Sequence, residues 1–363
     1  MQEGNENHIG HKIVRLHEQM RQSWPHLCRI AIAVYDDKTD LLKTFVNSTD
    51  CGEGLCHYSV KLNSVRSLKE LAETRKTRVI NNLNALADSN SEHTKWLLDN
   101  GFKSSYTVPI HGHESLVGFL FFDADKTDYF ADLIIQSLSV YSELIGALLI
   151  NEFAPIHTLR GILNTAKHFA YQRDEETSGH IQRMSHYSHL IAMKLADEMD
   201  LSDDYIEYIL RYSPLHDIGK IGIPDYILLK DGPLTMDEYD VAKEHVPRGL
   251  EIIDSIIEEF DLSHLTHLEI LRNIINCHHE RYDGSGYPKG LEGEEIPLEG
   301  RIVAIADVLD ALTARRYYKG AWSFDESVDY ICKNAHNMFD PACVDIVDKF
   351  RDEFEEILTT FQE

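Results

Sequence analysis

The sequence predicts an α+β multidomain protein, in which an antiparallel sheet flanked by helices is followed by a linker helix and an all-α domain. Its 363 residues suffice for two domains at about 150 residues each. Strand signals are confined to the first half, and residues 128–150 carry a continuous amphipathic helical stripe. After residue 155 the apolar spacing is almost entirely helical. We therefore expect domains at 1–150, ending in the linker helix, and at 151–363.

The first domain is predicted from short apolar runs. Residues 27–35 alternate as a strand does, and 106–110 and 116–123 predict two strands around a tight turn at 111–114. Residues 67–76 and 92–100 predict two short helices. The stripe at 128–150 predicts a long helix that ends or kinks at Pro155.

The second domain is predicted from helical periodicity and start signals. Capping boxes begin at Thr235 and Ser323, each with Glu three residues later. Apolar residues at helical spacing predict helices at 156–171, 178–199, 203–211, 268–277, 301–313 and 325–334.

Composition excludes several classes of protein. The net charge of −26 opposes binding to nucleic acid and to anionic membrane surfaces. No apolar run reaches the ~20 residues of a membrane span, and the N-terminus has no apolar signal core. The six cysteines are sparse and form no CxxC motif, which is typical of reduced thiols. We expect a cytoplasmic protein without nucleic-acid or membrane partners.

Histidines and acids in the second half are spaced like metal ligands. A His-Asp pair at a helix end directs both side chains to one ion, and residues four apart share a helix face. A carboxylate inside an apolar helix is costly without a partner. Mixed imidazole and carboxylate ligands favour Fe, Mn or Zn over Mg or Ca, and several carboxylates favour two or three ions. The residues concerned are Glu176 and His180, His216-Asp217, His245 at the end of the helix begun at Thr235, His278-His279-Glu280, and Asp307.

Three motifs in this order resemble the HD-GYP branch of the HD phosphohydrolases: HDIGK at 216–220, HHERYDGSGYP at 278–288 and ADVLDALTARRYYK at 306–319. The resemblance covers about residues 155–350. It implies a helical domain that holds two or three divalent metals, iron first and manganese second. It also implies hydrolysis of cyclic di-GMP, or in some members of cyclic GMP-AMP.

The resemblance also implies roles for individual residues. The implied metal ligands are Glu176, His180, His216, Asp217, His245, His278, His279 and Asp307. Asp217 is the implied bridge, and Glu176 goes with a third metal. Lys220 and Asp217 are the implied catalytic residues, and Tyr287, Gly286, Arg316 and Lys319 the implied substrate-binding residues. The family usually has Pro where this chain has Tyr317, so the path of the loop at 316–319 differs from the pattern.

The first half resembles a GAF domain in the order of its elements and in the segments SLKELAETRKTRVINNL at 67–83, GFKSSYTVPI at 101–110 and LVGFLFFDAD at 116–125. The resemblance implies a sensory or dimerisation domain, and hence a homodimer. We assign it no ligand, because Cys51, Cys56, His57 and the histidines at 111 and 113 are more typical of surface loops.

Three functions are compatible with these motifs. The first is a GAF-regulated phosphodiesterase that hydrolyses cyclic di-GMP to pGpG, GMP or both, or that prefers cyclic GMP-AMP. The second is a cyclic dinucleotide receptor, or a scaffold that binds a GGDEF-family partner, without turnover. The third, an HD hydrolase of mononucleotides, is disfavoured by the GYP segment. The complete ligand set favours the enzyme.

Overall fold

The computed structural model describes residues 9–50, 54–87, 91–112, 115–169, 178–313 and 322–361. The chain divides into unit 1, Met1–Ala154, and unit 2, Pro155–Glu363. Unit 1 contains one antiparallel sheet with flanking helices, and the described elements of unit 2 are helical. The predicted fold class is therefore confirmed.

The sheet of unit 1 has the strand order β3-β2-β1-β6-β5-β4, and each neighbouring pair is antiparallel. The strands predicted at 27–35, 106–110 and 116–123 are confirmed, as are both short helices. The turn residues His113 and Glu114 lie outside the described residues. The described elements are α1 (Ile9–Ser23), β1 (Leu27–Asp36), β2 (Leu41–Thr49), β3 (Ser59–Lys61), α2 (Arg66–Thr74), β4 (Arg78–Ile80), α3 (Glu92–Asp99), β5 (Ser104–His111) and β6 (Leu116–Ala124).

The long helix α4 (Asp132–Phe169) follows, and it contains Pro155. The helix does not end at this proline, so the prediction of an end there is wrong. Proline removes one backbone hydrogen-bond donor, and its ring clashes with the carbonyl group of the preceding helical turn, at a cost of about 3 kcal/mol. Over 38 residues the other hydrogen bonds continue the helix past that position.

Part of α4, Asp132–Leu159, is long and apolar enough to cross a membrane by length and composition. The expectation that no segment reaches this length is therefore wrong. Leu138, Ile145 and Leu149 are fully buried at helical spacing, as in a helix that packs on a protein core. Because core helices of soluble proteins pass the same test, this helix is weak evidence for a membrane span.

The helices of unit 2 pack around α5, which contacts α6, α11, α13 and α14. Both predicted capping boxes are present, at Thr235 and Ser323. The helix predicted at 156–171 is instead part of α4, and the other predicted helices agree with the structure to within a few residues. The helices are α5 (Ser178–Met199), α6 (Asp203–Tyr212), α7 (Asp225–Leu228), α8 (Met236–Lys243), α9 (His245–Glu259), α10 (Leu268–Cys277), α11 (Leu298–Thr313), α12 (Phe324–Lys333), α13 (Pro341–Lys349) and α14 (Arg351–Thr360).

One ion-pair cluster joins α6 to the start of α10. His267 Nε2 lies 3.5 Å from Asp204 Oδ2, and His267 Nδ1 lies 3.0 Å from Glu269 Oε1. Burial lowers the pKa of His267, but the two carboxylates outweigh it and raise the pKa to about 9. The imidazole is therefore protonated at neutral pH and links the two helices.

Candidate metal centre

His216 and Asp217 lie between two short 3-10 turns, Ser213–Leu215 and Ile218–Gly222, that follow α6. This junction departs from a regular helix, as the adjacent His-Asp pair predicts, and both side chains are buried. Gly219 packs directly on the next helix: a Cβ here would lie 1.7 Å from the carbonyl oxygen of His245. Glycine therefore permits the close approach that brings the two segments together.

His245 is the first residue of α9 and does not end the helix begun at Thr235, so that prediction is wrong. The preceding helix α8 ends at Lys243, and the chain turns at Glu244. The His245 Nδ1 donates to the carbonyl oxygen of Ala242 over 2.7 Å, which orients the ring across the turn.

Asp217 stands at the middle of the cluster. Its Oδ1 lies 3.2 Å from His245 Nε2 and 3.6 Å from His278 Nε2, and its Oδ2 lies 3.2 Å from His216 Nε2. Asp217, His245, His278 and His279 offer ligand atoms that all lie within 4.8 Å of one another. The carboxylate therefore has one oxygen on each side, as a bridging ligand requires.

A second group of ligand atoms, from His180, His216 and Asp307, is equally close together. His216 Nε2 lies 3.9 Å from Asp307 Oδ1, and the rings of His180 and His216 are 6.2 Å apart. The seven predicted ligands in the described part of the chain thus form two neighbouring groups. The eighth, Glu176, lies outside the described residues.

The hydrogen bonds of three buried histidines determine which ring nitrogen faces the centre. Nδ1 of His216, His245 and His278 lies 2.7–3.0 Å from backbone carbonyl oxygens, which only accept, so Nδ1 carries the proton. Burial lowers the pKa of His245, so its neutral ring directs the Nε2 lone pair at Asp217. Two acceptors 3.2 Å apart are unfavourable unless a cation lies between them. The donor set therefore fits divalent metal ions.

The charges of the site also favour metal binding. Burial opposes ionisation of Asp217, but Lys220 and His216 outweigh it and hold the pKa of the carboxyl well below its ordinary value. The Lys220 Nζ lies 2.7 Å from Asp217 Oδ2. Burial, together with His278, holds the pKa of His279 well below its ordinary value. An ionised carboxylate and neutral imidazoles are the protonation states that metals require.

Two residues that the sequence analysis missed support His180. Its Nδ1 lies 2.6 Å from Oδ2 of the fully buried Asp310, which also accepts from Arg183 Nε at 2.5 Å and Nη2 at 3.1 Å. Helical spacing contains the signal, because Asp307 and Asp310 are three apart, as are His180 and Arg183. Each ligand thus has a polar neighbour on the same helix face.

The loop at 283–288 lies against the same site. The Tyr287 ring stacks on His279 with centroids 4.7 Å apart. The buried Glu280, whose role the sequence analysis did not identify, accepts from the backbone N–H groups of Lys289 and Leu291 at 2.8 and 3.1 Å. A Cβ on Gly286 would lie 2.3 Å from the Arg281 nitrogen, so glycine is required there for packing. The other two predicted substrate residues, Arg316 and Lys319, lie outside the described residues.

Comparison with known proteins finds relatives that are themselves named as cyclic dinucleotide phosphodiesterases. It is 44% identical to the cyclic di-GMP phosphodiesterase response regulator RpfG of Xanthomonas campestris over 52% of this chain and 47% of that protein. It is 31% identical to 3'3'-cGAMP-specific phosphodiesterase 2 of Vibrio cholerae over 92% of this chain and 62% of that protein. The chain therefore spans about half to two-thirds of the length of these relatives.

Among solved structures, the GAF domain of an Acinetobacter phosphoenolpyruvate-protein phosphotransferase matches 40% of this chain and 84% of its own, with 12% identity and a TM-score of 0.30. That likeness says nothing about a ligand. The HD domain family matches residues 159–343, about half of the chain and the whole of the site described above. The chain therefore belongs to the HD domain family.

Proposed function

We propose that this protein is a metal-dependent phosphodiesterase that hydrolyses cyclic di-GMP to pGpG, GMP or both. The observation that carries the proposal is the position of Asp217, whose two oxygens face imidazole Nε2 atoms of two adjacent ligand groups. Such a set suits two metal ions and the phosphoryl-transfer chemistry that two-metal sites perform.

Different residues bind the metal ions, stabilise charge and contact the substrate in this proposed reaction. Metal ions bound here supply a low-pKa water and neutralise phosphoryl oxygens. His180, His216, Asp217, His245, His278, His279 and Asp307 hold the ions, with Glu176 as the candidate for a third. Lys220 adds a fixed positive charge beside Asp217, where negative charge develops on the phosphoryl group. Tyr287 faces the substrate from the loop that Glu280 holds.

Cyclic GMP-AMP is the second candidate substrate. The relative specific for 3'3'-cGAMP aligns with 92% of this chain, including its first half, whereas the cyclic di-GMP relative aligns with 52%. The relative specific for 3'3'-cGAMP is, however, less similar, at 31% against 44% identity. We therefore place cyclic di-GMP first.

The remaining expectations extend this proposal. Iron is the first candidate metal and manganese the second, because both accept mixed imidazole and carboxylate ligands. We propose that unit 1 regulates the enzyme and supports a homodimer, and that a GGDEF-family protein is a partner. A cytoplasmic location agrees with the sparse cysteines.

One experiment tests the activity. The full chain is purified anaerobically, Fe, Mn and Zn are counted per chain, and cyclic di-GMP and cyclic GMP-AMP are added separately. Two or three ions together with pGpG or GMP support the proposal. A full metal complement with cyclic di-GMP bound but intact would instead support the receptor function. Turnover of cyclic GMP-AMP alone would make it the substrate in place of cyclic di-GMP.

A further inference from the structure

Two tyrosines and a lysine form a corner beside the candidate metal centre. Tyr239 and Lys243 are four residues apart on α8, and Tyr287 belongs to the loop at 283–288. The rings of Tyr239 and Tyr287 have centroids 6.4 Å apart, and their planes are inclined at 80°. The Lys243 Nζ lies 4.7 Å from the Tyr239 centroid and 5.8 Å from that of Tyr287. We call these three residues the aromatic corner.

The aromatic corner connects the ligand groups to solvent. Tyr287 stacks on His279, and its centroid lies 6.5 Å from that of His245. Tyr239 lies farther out and is 46% exposed, although it is a large aromatic residue. If the phosphate of a nucleotide lies at the ligand groups, its nearest base is therefore within reach of the aromatic corner.

The chemistry of the corner suits one base in particular. Aromatic side chains provide stacking surfaces for any nucleobase. The Lys243 ammonium has only donors, and the exposed Asp240 accepts from it over 2.9 Å, which orients it. Guanine presents two acceptors on one edge, O6 and N7, whereas adenine presents N7 beside an N6 donor. A lysine between two rings therefore favours guanine over adenine.

We propose that the aromatic corner binds one guanine of the cyclic dinucleotide, with Tyr239 as stacking surface and Lys243 as donor to the guanine acceptors. This inference rests on the proposed function and adds Tyr239 and Lys243, which lie outside the metal ligands and the three family motifs. A structural alternative is that Tyr239 and Lys243, four residues apart, only stabilise α8. Base selectivity separates the two, since helix stability does not depend on the base.

The test uses the metal-loaded full chain and two nucleotides. KM and kcat are measured for cyclic di-GMP, and cyclic di-AMP is titrated as an inhibitor of that reaction. Lys243→Met should raise KM for cyclic di-GMP about tenfold and leave the inhibition constant of cyclic di-AMP unchanged. Tyr239→Ala should raise both constants about tenfold, whereas Tyr239→Phe keeps the ring and both values. Tyr226→Ala, at a 69% exposed tyrosine on α7, is the matched control.

The outcomes also separate this inference from the proposed function. If the wild type turns over cyclic di-GMP, and KM and the inhibition constant are unchanged in Tyr239→Ala and Lys243→Met, the aromatic corner does not bind the base and the proposed function stands. If the wild type binds cyclic di-GMP without turnover, and the two variants weaken that binding, the proposed enzymatic activity is wrong and base binding by the aromatic corner is supported. Absent binding by the wild type overturns both. Thermal melting of each variant checks that its fold is intact.

Discussion

Replacing Asp310 by Asn tests whether the candidate metal centre depends on its buried support. Asp310 accepts from two donors, His180 Nδ1 at 2.6 Å and the Arg183 guanidinium at 2.5 and 3.1 Å. An amide has one oxygen and one NH2 group, so one of these donors faces another donor. Loss of such support for a metal-ligating histidine typically costs 10- to 100-fold in metal affinity, about 1.4–2.7 kcal/mol. Unfolding free energy should also fall by about 3 kcal/mol.

The assay is a manganese titration of the metal-free chain, with bound metal counted at each concentration. The group of His180, His216 and Asp307 should weaken 10- to 100-fold, while the group around Asp217 keeps its affinity. At limiting manganese, Asp310→Asn should therefore hold one ion fewer per chain than the wild type. The control is Asp325→Asn, an ion-paired aspartate that is 82% exposed. Wild-type affinity at both groups in Asp310→Asn would refute the reasoning.

Three further predictions follow from the same structure. Asp217→Asn should weaken metal binding and reduce turnover to background, because this carboxylate is a ligand of the first group and its Oδ2 lies 3.2 Å from His216 of the second; turnover by the metal-free variant would contradict the metal mechanism. Glu280→Gln should lower the unfolding free energy by about 1–2 kcal/mol in urea and raise KM, because the loop at 283–288 loses charge-assisted bonds; an unchanged KM would show that Glu280 does not position it. His267 has a raised pKa of about 9, so its contribution, up to about 3 kcal/mol, is complete below pH 6.5 and lost as pH rises through 9. Unfolding of His267→Gln should lack this pH dependence, and parallel pH profiles for wild type and variant would disprove the ion-pair cluster.

Local patterns were sufficient to predict most helices and to indicate candidate ligand residues. Helix α5 occupies the predicted residues 178–199, because its apolar spacing is strong. The capping boxes at Thr235 and Ser323 are likewise formed within four residues. The His-Asp pair at 216–217 predicts a break in the helix, since two adjacent side chains reach one ion only where regular geometry ends. Each of these features depends on neighbours along the chain.

Contacts between distant parts of the chain decided the rest. His245, the first residue of α9, packs closely on Gly219, and the local pattern at Thr235 does not contain this contact. The bond from His180 to Asp310 joins residues 130 apart, so no short window of sequence shows it. The continuation of α4 past Pro155 depends on the length of the whole helix. The sequence by itself therefore determined most of the helices and the candidate ligands, whereas only the tertiary structure decided which groups meet, because burial and hydrogen bonding over long separations are properties of the packed chain.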